Sequence, residues 1–323
     1  MGEFDLISRL TARAGARADI ALGIGDDAAL LQVPPGEQLV ACCDTLNEGV
    51  HFLAGTDAGD IGWKSLAVNL SDLAAMGARP AWTLLSLSLP RADREFVDGF
   101  IEGFHALAAQ AEVALVGGDT TSGPLSICVT ALGLVPPGRA LRRDGAQVGD
   151  LVCVSGTLGD AAAALNRARA GAPVDSAAAR ALQSRMRRPT PRLALGLALR
   201  GVAHAAIDVS DGLLADLGHI ARASAVGLRL EAAALPASEA LRALFPAEDC
   251  LRFQAIGGDD YELAFTLPPQ RLELLRALGA DLGVEVSVIG RVVAGAGVRL
   301  EAPDGAAIDF GCTGWEHFTG SPP

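Results

Sequence analysis

An apolar run that meets an acid, in several cases through glycine, recurs in both halves of this chain, and it constrains the fold more than any single residue does. Leu22-Gly23-Ile24-Gly25-Asp26-Asp27 leads into a strand, and Gln38-Leu39-Val40-Ala41-Cys42-Cys43 ends on Asp44. Val113 to Val116 runs into Gly117-Gly118-Asp119, Ala203 to Ile207 into Asp208-Val209-Ser210-Asp211-Gly212, and Ile256-Gly257-Gly258-Asp259-Asp260 enters a further strand. Short apolar runs between helical stretches are the pattern of a layered α/β protein. A tight turn would explain any one Gly-Asp pair. The set is harder to explain, because unit charges ~4 Å apart repel by ~4 kcal/mol at an intermediate dielectric. Cations offset that repulsion, and hard divalent ions such as Mg²⁺ take carboxylate and phosphate oxygens.

Asn69-Leu70-Ser71-Asp72-Leu73-Ala74-Ala75-Met76-Gly77 carries a further acid, on a helix. Ile61, Leu66, Leu70, Leu73 and Ala74 recur at helical spacing from about 60 to 76, with Asp60 as the expected N-cap and Gly77 as the stop. Asn69, Asp72 and Met76 share another face. Asp72 sits there either because that face is solvated or because a cation meets it.

The remaining elements follow the same periodicities. Strands are expected over 82–90, 113–121 and 125–135, a helix over 93–111, and a short helix at Phe4 to Leu10. The 125–135 run is apolar on both faces, which predicts a cover on each. With 323 residues, two domains are expected, and Pro136-Pro137-Gly138 opens the connection that divides 1–138 from 139–323. Arg139, Arg142 and Arg143 lie in that connection. The second domain is expected to hold strands at 150–156 and 284–292 and helices at 159–170 and 269–278. Arg185 to Arg188 reads as a solvated helix end. At the junction of strand and helix, a cap explains Ser210 or Asp211, but not both together with Asp208.

The net charge of −12 disfavours nucleic acid and acidic membrane surfaces as partners. Six cysteines without C-x-x-C spacing suggest reduced thiols and a cytoplasmic location. The N-terminus has acids where a signal peptide needs bases, and no run reaches the ~18 apolar residues of a membrane span. There is no G-x-x-x-x-G-K-[ST] loop and Lys64 is the single lysine, so metal ions and arginine would have to manage phosphate charge.

Taken in order, Gly25-Asp26-Asp27, Asp44-Thr45-Leu46 with His51-Phe52, Asn69 to Gly77, Gly117 to Thr120, Ile207 to Gly212 and Gly257 to Leu263 resemble the thiamine-monophosphate kinase family. That family belongs to the aminoimidazole-ribonucleotide-synthetase-like ATP-binding superfamily. The resemblance implies an α/β (α+β) fold of two domains, an N-terminal mixed sheet with helices and a second α/β domain. It implies a homodimer built on N-terminal strands and ATP held in a cleft between domains. Asp27, Asp44, Asp72, Asp119, Asp208 and Asp211 would hold several Mg²⁺ ions, with Asp72 bridging more than one. Gly118, Asp119, Arg143 and Ser210 would contact ATP as co-substrate, and His51, Asp259 and Trp315 would line the thiamine monophosphate pocket.

Two positions depart from the family pattern. Cys42 and Cys43 stand where Ser or Thr is common. Thiols are poor Mg²⁺ ligands, so metal binding there would fall to backbone carbonyls. Asp259 stands where Glu is common, one methylene shorter. No catalytic residue is expected beyond the metal ligands, since a phosphate acceptor with a second pKa near ~6 is already ionised at neutral pH. The alternatives are a superfamily synthetase or maturation enzyme, a metal-dependent phosphohydrolase, and a catalytically silent nucleotide-binding module.

Overall fold

The computed structural model describes residues 17–316. The expected helix at Phe4 to Leu10 lies outside them. The described residues divide into two compact units, one of residues 17–73 and 78–140, the other of 74–77 and 141–316.

The first unit contains β1 (Ile20–Leu22), β2 (Leu30–Leu31), β3 (Gln38–Asn47), α1 (Ala58–Ala75), β4 (Arg79–Leu89), α2 (Arg94–Gln110), β5 (Ala114–Ser122) and β6 (Ser126–Val135). Strands β1 and β2 form a small antiparallel pair, and the other four form a mixed sheet in the order β3-β6-β4-β5. The β4–β5 pairing is parallel, because α2 carries the chain back across the sheet. Leu66, Leu70 and Leu73 of α1, Phe100 and Phe104 of α2, and Trp82, Leu87 and Ile127 of the sheet are fully buried together with Leu134.

One expectation fails here and another is met only in part. The cap of helix α1 is Asp57, not Asp60: its Oδ1 accepts the Asp60 N–H at 3.1 Å. In the single chain strand β6 is covered along one face, and on the other only toward its C-terminal end, where Leu134 is buried. Ile127, Val129 and Ala131 are buried, whereas Cys128, Thr130 and Leu132 on the alternate face are half-exposed.

The second unit contains β7 (Leu151–Ser155), α3 (Asp160–Arg169), α4 (Ala177–Arg187), α5 (Leu193–Ala198), β8 (Ala205–Val209), α6 (Leu213–Ser224), β9 (Gly227–Glu231), α7 (Glu239–Leu244), α8 (Ala247–Ile256), β10 (Glu262–Leu267), α9 (Leu272–Leu282), β11 (Val286–Val293), β12 (Gly297–Glu301) and β13 (Ala307–Ile308). Seven strands make one sheet in the order β13-β12-β9-β11-β7-β10-β8. Strands β7 and β10 and the edge strand β8 are covered twice. Val152, Val154, Ile207 and Val209 pack with Leu213, Leu217 and Ile220 of α6 on one face. Leu151, Cys153, Leu263 and Phe265 pack with Leu195 and Leu275 on the other. Alternate residues of one strand therefore belong to different cores, which explains why β7, β8 and β10 are buried throughout.

Candidate active site

In the first unit, α1 is stapled across β3. Asn69 is fully buried. Its Oδ1 accepts the Asp44 N–H at 3.0 Å, its Nδ2 donates to the Ser65 carbonyl at 3.1 Å, and its own carbonyl accepts from the Cys42 thiol at 3.3 Å. Burial pushes the Cys42 thiol far up, and the charges of Asp72 and Asp44 push it further. Cys42, Asp44 and Asp72 thus share one neighbourhood, and the thiol stays protonated. A protonated thiol does not ligate Mg²⁺, whereas the two carboxylates are the hard oxygen donors such an ion takes. Strand β3 is an edge of its sheet, so some of its main-chain carbonyls face away from β6.

The other first-unit candidates are dispersed. Asp27 is exposed in the turn between β1 and β2, where its N–H bonds to Asp26 Oδ1 at 2.8 Å. Asp119 is exposed on β5, the edge opposite β3, with its Oδ1 accepting the Thr120 N–H at 2.9 Å. Gly118 beside it is a steric necessity, since a Cβ there would sit 1.9 Å from the Leu85 carbonyl oxygen. Cys43 is exposed, 3.3 Å from the Cys128 sulfur, on the face away from Cys42. Among the described residues, no group of three His, Cys, Asp or Glu side chains is arranged to hold a metal ion.

His51 sits in a turn closed on Asn47. Its N–H donates to the Asn47 carbonyl at 3.0 Å, and its Nδ1 accepts the Asn47 N–H at 3.0 Å. The proton of the neutral imidazole therefore belongs on Nε2, making that nitrogen a donor. The buried Lys64 ammonium holds the same turn by donating to the His51 carbonyl at 3.0 Å.

The second unit gathers its candidates more tightly. Strand β8 delivers Asp208, and the chain turns through Ser210 and Asp211 before α6. Neither Ser210 nor Asp211 caps the helix. Gly212 is the N-cap residue, at φ 125°. A residue passed over in the sequence does the capping work: Asp216 is 3% exposed, and its Oδ2 accepts the N–H groups of Ser210, Asp211 and Gly212 at 3.0, 3.1 and 3.1 Å. Burial, and then the charges of Asp208 and Asp211, push the Asp216 carboxyl up to about 8. Its position in the first turn of an apolar helix was the available signal. Along α6, burial and then the charges of Arg222 and Arg143 lower the His219 pKa, while Asp211 opposes them, so Arg143 faces the same helix as Asp211.

The Gly257–Tyr261 loop is hydrogen-bonded to that turn. Asp259 N–H donates to the Ser210 carbonyl at 2.8 Å and Tyr261 N–H to the Val209 carbonyl at 2.8 Å. From the other side, Trp315 N–H donates to the Asp211 carbonyl at 2.8 Å. Asp259 and Tyr261 both have left-handed backbone, φ 69° and 51°. For residues other than glycine that conformation costs roughly 1–3 kcal/mol each and persists where its surroundings over-determine it.

Beneath the loop lies a charge cluster that the sequence did not announce. Glu262 is fully buried, and its carboxylate accepts from Arg185 at 2.8 Å, from Arg192 at 2.6 and 2.5 Å and from Ser155 Oγ at 2.6 Å. Asp260, also buried, accepts the Gly159 N–H at 2.8 Å. Arg185 is therefore not part of a solvated helix end. Its partner lies 77 residues away, beyond any local pattern.

Residues 25–135 match the AIR synthase related protein, N-terminal domain, and residues 147–302 the corresponding C-terminal domain. Over 322 residues, 98% of each protein, the chain is 45% identical to the thiamine-monophosphate kinase of Salmonella typhimurium. The chain belongs to the thiamine-monophosphate kinase family. The family resemblance read from the motifs is borne out, and so is the two-domain α/β fold. Among solved structures, the thiamine-monophosphate kinase of Stenotrophomonas maltophilia superposes with TM-score 0.89 at 55% identity, covering 95% of this chain and 98% of that one. A structure of AaThiL complexed with AMPPCP and TMP superposes with TM-score 0.79 at 34% identity, covering 98% and 97%.

Proposed function

We propose that this chain is an ATP-dependent kinase that phosphorylates thiamine monophosphate to thiamine diphosphate. The observation that carries this reading is the 45% identity sustained over 98% of a thiamine-monophosphate kinase. A relative of matching fold that binds an ATP analogue together with TMP supports the same substrates.

The transfer is read as direct and in line. An acceptor phosphate oxygen forms a bond to the γ-phosphorus as the bond to the ADP leaving oxygen breaks, and no proton need be removed from an ionised acceptor. Asp27, Asp44, Asp72 and Asp119 of the first unit and Asp208 and Asp211 of the second are the proposed Mg²⁺ ligands. Cys42 and Cys43 would contribute through main-chain carbonyls, and the position of β3 at a sheet edge supports this for whichever of the two adjacent carbonyls faces away from β6. Bound Mg²⁺ would supply charge neutralisation at the β- and γ-phosphates. That Asp44 and Asp119 lie on opposite edge strands favours separate ions for them. Gly118, Asp119, Arg143 and Ser210 orient the nucleotide, Arg143 by charge. His51, through its Nε2 donor, Asp259 and Trp315 bind the acceptor.

Residues 1–138 are assigned to metal and nucleotide binding and to dimerisation, and 139–323 to completing both substrate sites. The half-exposed sheet face bearing Cys43, Leu84 and Thr130 supports a homodimer, with a second copy as its cover. Among the described residues no helix is long and apolar enough to cross a membrane, which is compatible with the cytoplasmic location proposed.

The test is to incubate the protein with ATP, Mg²⁺ and thiamine monophosphate, and to repeat it with free thiamine and without acceptor. Thiamine diphosphate and ADP in equal amounts from the monophosphate alone is the expected result. ADP and inorganic phosphate without the diphosphate would instead indicate a phosphohydrolase.

A further inference from the structure

Tyr261 is the only tyrosine of the chain, and it is 8% exposed. Its hydroxyl donates to Asp259 Oδ1 at 2.9 Å. The two residues are separated by Asp260 alone, and a side chain reaches back over that distance only because the backbone bends sharply between them. Both flanking residues take left-handed conformations to produce the bend. Several contacts hold it. The loop's N–H groups bond to the Val209 and Ser210 carbonyls, and the Asp260 carboxylate grips the Gly159 N–H. No side chain is tolerated at Gly257 or Gly258, where a Cβ would lie 2.4 Å from the Phe253 carbonyl and 2.5 Å from that of Ser210. A backbone strained at two successive odd positions, with one side chain aimed at the other, is an arrangement that fixes the direction of the Asp259 carboxylate.

We propose that Tyr261 is a positioning residue for acceptor recognition, its hydroxyl setting the orientation of the Asp259 carboxylate that receives the N–H-bearing aminopyrimidine of thiamine monophosphate. This rests on the acceptor role of Asp259 proposed above. Hydrogen bonds to a carboxylate are strong enough that a missing one is read as a change of about tenfold or more in affinity.

The test uses the full-length protein as wild type, Tyr261→Phe, Asp259→Ala and the double variant, with KM measured separately for thiamine monophosphate and ATP. Tyr261→Phe should raise KM for thiamine monophosphate about tenfold, leave KM for ATP and the melting temperature unchanged, and add nothing in the Asp259→Ala background. A silent Tyr261→Phe beside a damaging Asp259→Ala overturns the positioning role and leaves the acceptor reading standing. Two silent variants overturn both. Equal losses for both substrates, additive in the double variant, would reduce Tyr261 to a packing residue and overturn the proposal. A second measurement needs no Tyr261 variant. In tyrosine-labelled protein the single ring resonance should shift on addition of thiamine monophosphate, and should cease to shift in Asp259→Ala. A resonance that ignores thiamine monophosphate in the wild type overturns the proposal.

Discussion

Asn69 Oδ1 accepts the Asp44 N–H at 3.0 Å, so a helix side chain with no charge of its own fixes the strand position of a carboxylate. Replacing Asn69 by Ala leaves the Asp44 N–H without this acceptor and removes the bond to Ser65. A loss of about 1–3 kcal/mol in unfolding free energy is expected, read by urea denaturation. Activity should fall further than the unfolded fraction accounts for, because Asp44 is then free to shift.

Asp72 is half-buried and lies against Cys42. Asp72→Asn keeps the shape and removes the charge. Turnover should drop on the order of a hundredfold or more, with circular dichroism and melting temperature preserved. Near-normal activity, or collapse of the fold, would contradict a metal-binding role.

Glu262 illustrates the opposite case, a buried carboxylate serving structure. Glu262→Ala leaves Arg185 and Arg192 without their shared partner, and a penalty of about 3–5 kcal/mol is expected in chemical denaturation. Substituting Glu273, which is exposed and paired with Arg276 at the surface, should change stability by less than about 1 kcal/mol.

Burial raises the Asp260 pKa well above 3.8, opposed by the Gly159 N–H and Arg185 and reinforced by the neighbouring Asp160 and Glu262. A carboxyl whose folded pKa exceeds its unfolded one keeps its proton longer in the folded state. Its contribution is fully present below pH 3.8 and declines as the pH rises above it. Asp260→Asn, which cannot ionise, should flatten that decline when unfolding free energy is measured from acid toward neutral pH.

Gly118→Ala would place a methyl 1.9 Å from the Leu85 carbonyl oxygen. The β4 and β5 backbones must then part at the Leu85–Gly118 register. A destabilisation of about 1–3 kcal/mol is expected in thermal or chemical melts, along with a higher KM for ATP.

What the sequence made legible was whatever is written locally. Helical spacing of Leu66, Leu70 and Leu73 located α1, and the glycine-acid turns drew attention to Asp27, Asp119 and Asp211, because both signals live within a few residues. Asp57 was passed over as a cap because Asp60 competes for the same role one turn later. The double cover expected for β6 is met only in part in the single chain, where Leu134 is buried but Cys128 and Thr130 stay half-exposed. Asp216 looked like one more polar residue on a helix, and only the folded turn reveals three N–H groups converging on it. Arg185 and Glu262 meet through the assembly of α4 against β10, which no periodicity records.

Asp259 and Trp315, proposed for the acceptor, and Ser210, proposed for the nucleotide, hang from one stretch of main chain. Asp259 and Trp315 are each tied by a backbone hydrogen bond to the Ser210–Asp211 segment, which Asp216 holds from within. A lineage descending from this protein can exchange side chains here one at a time, but an inserted or deleted residue anywhere from Val209 to Gly212 would displace both groups at once. Divergence toward a new acceptor is thereby confined to substitutions, and changes in chain length are left to loops elsewhere.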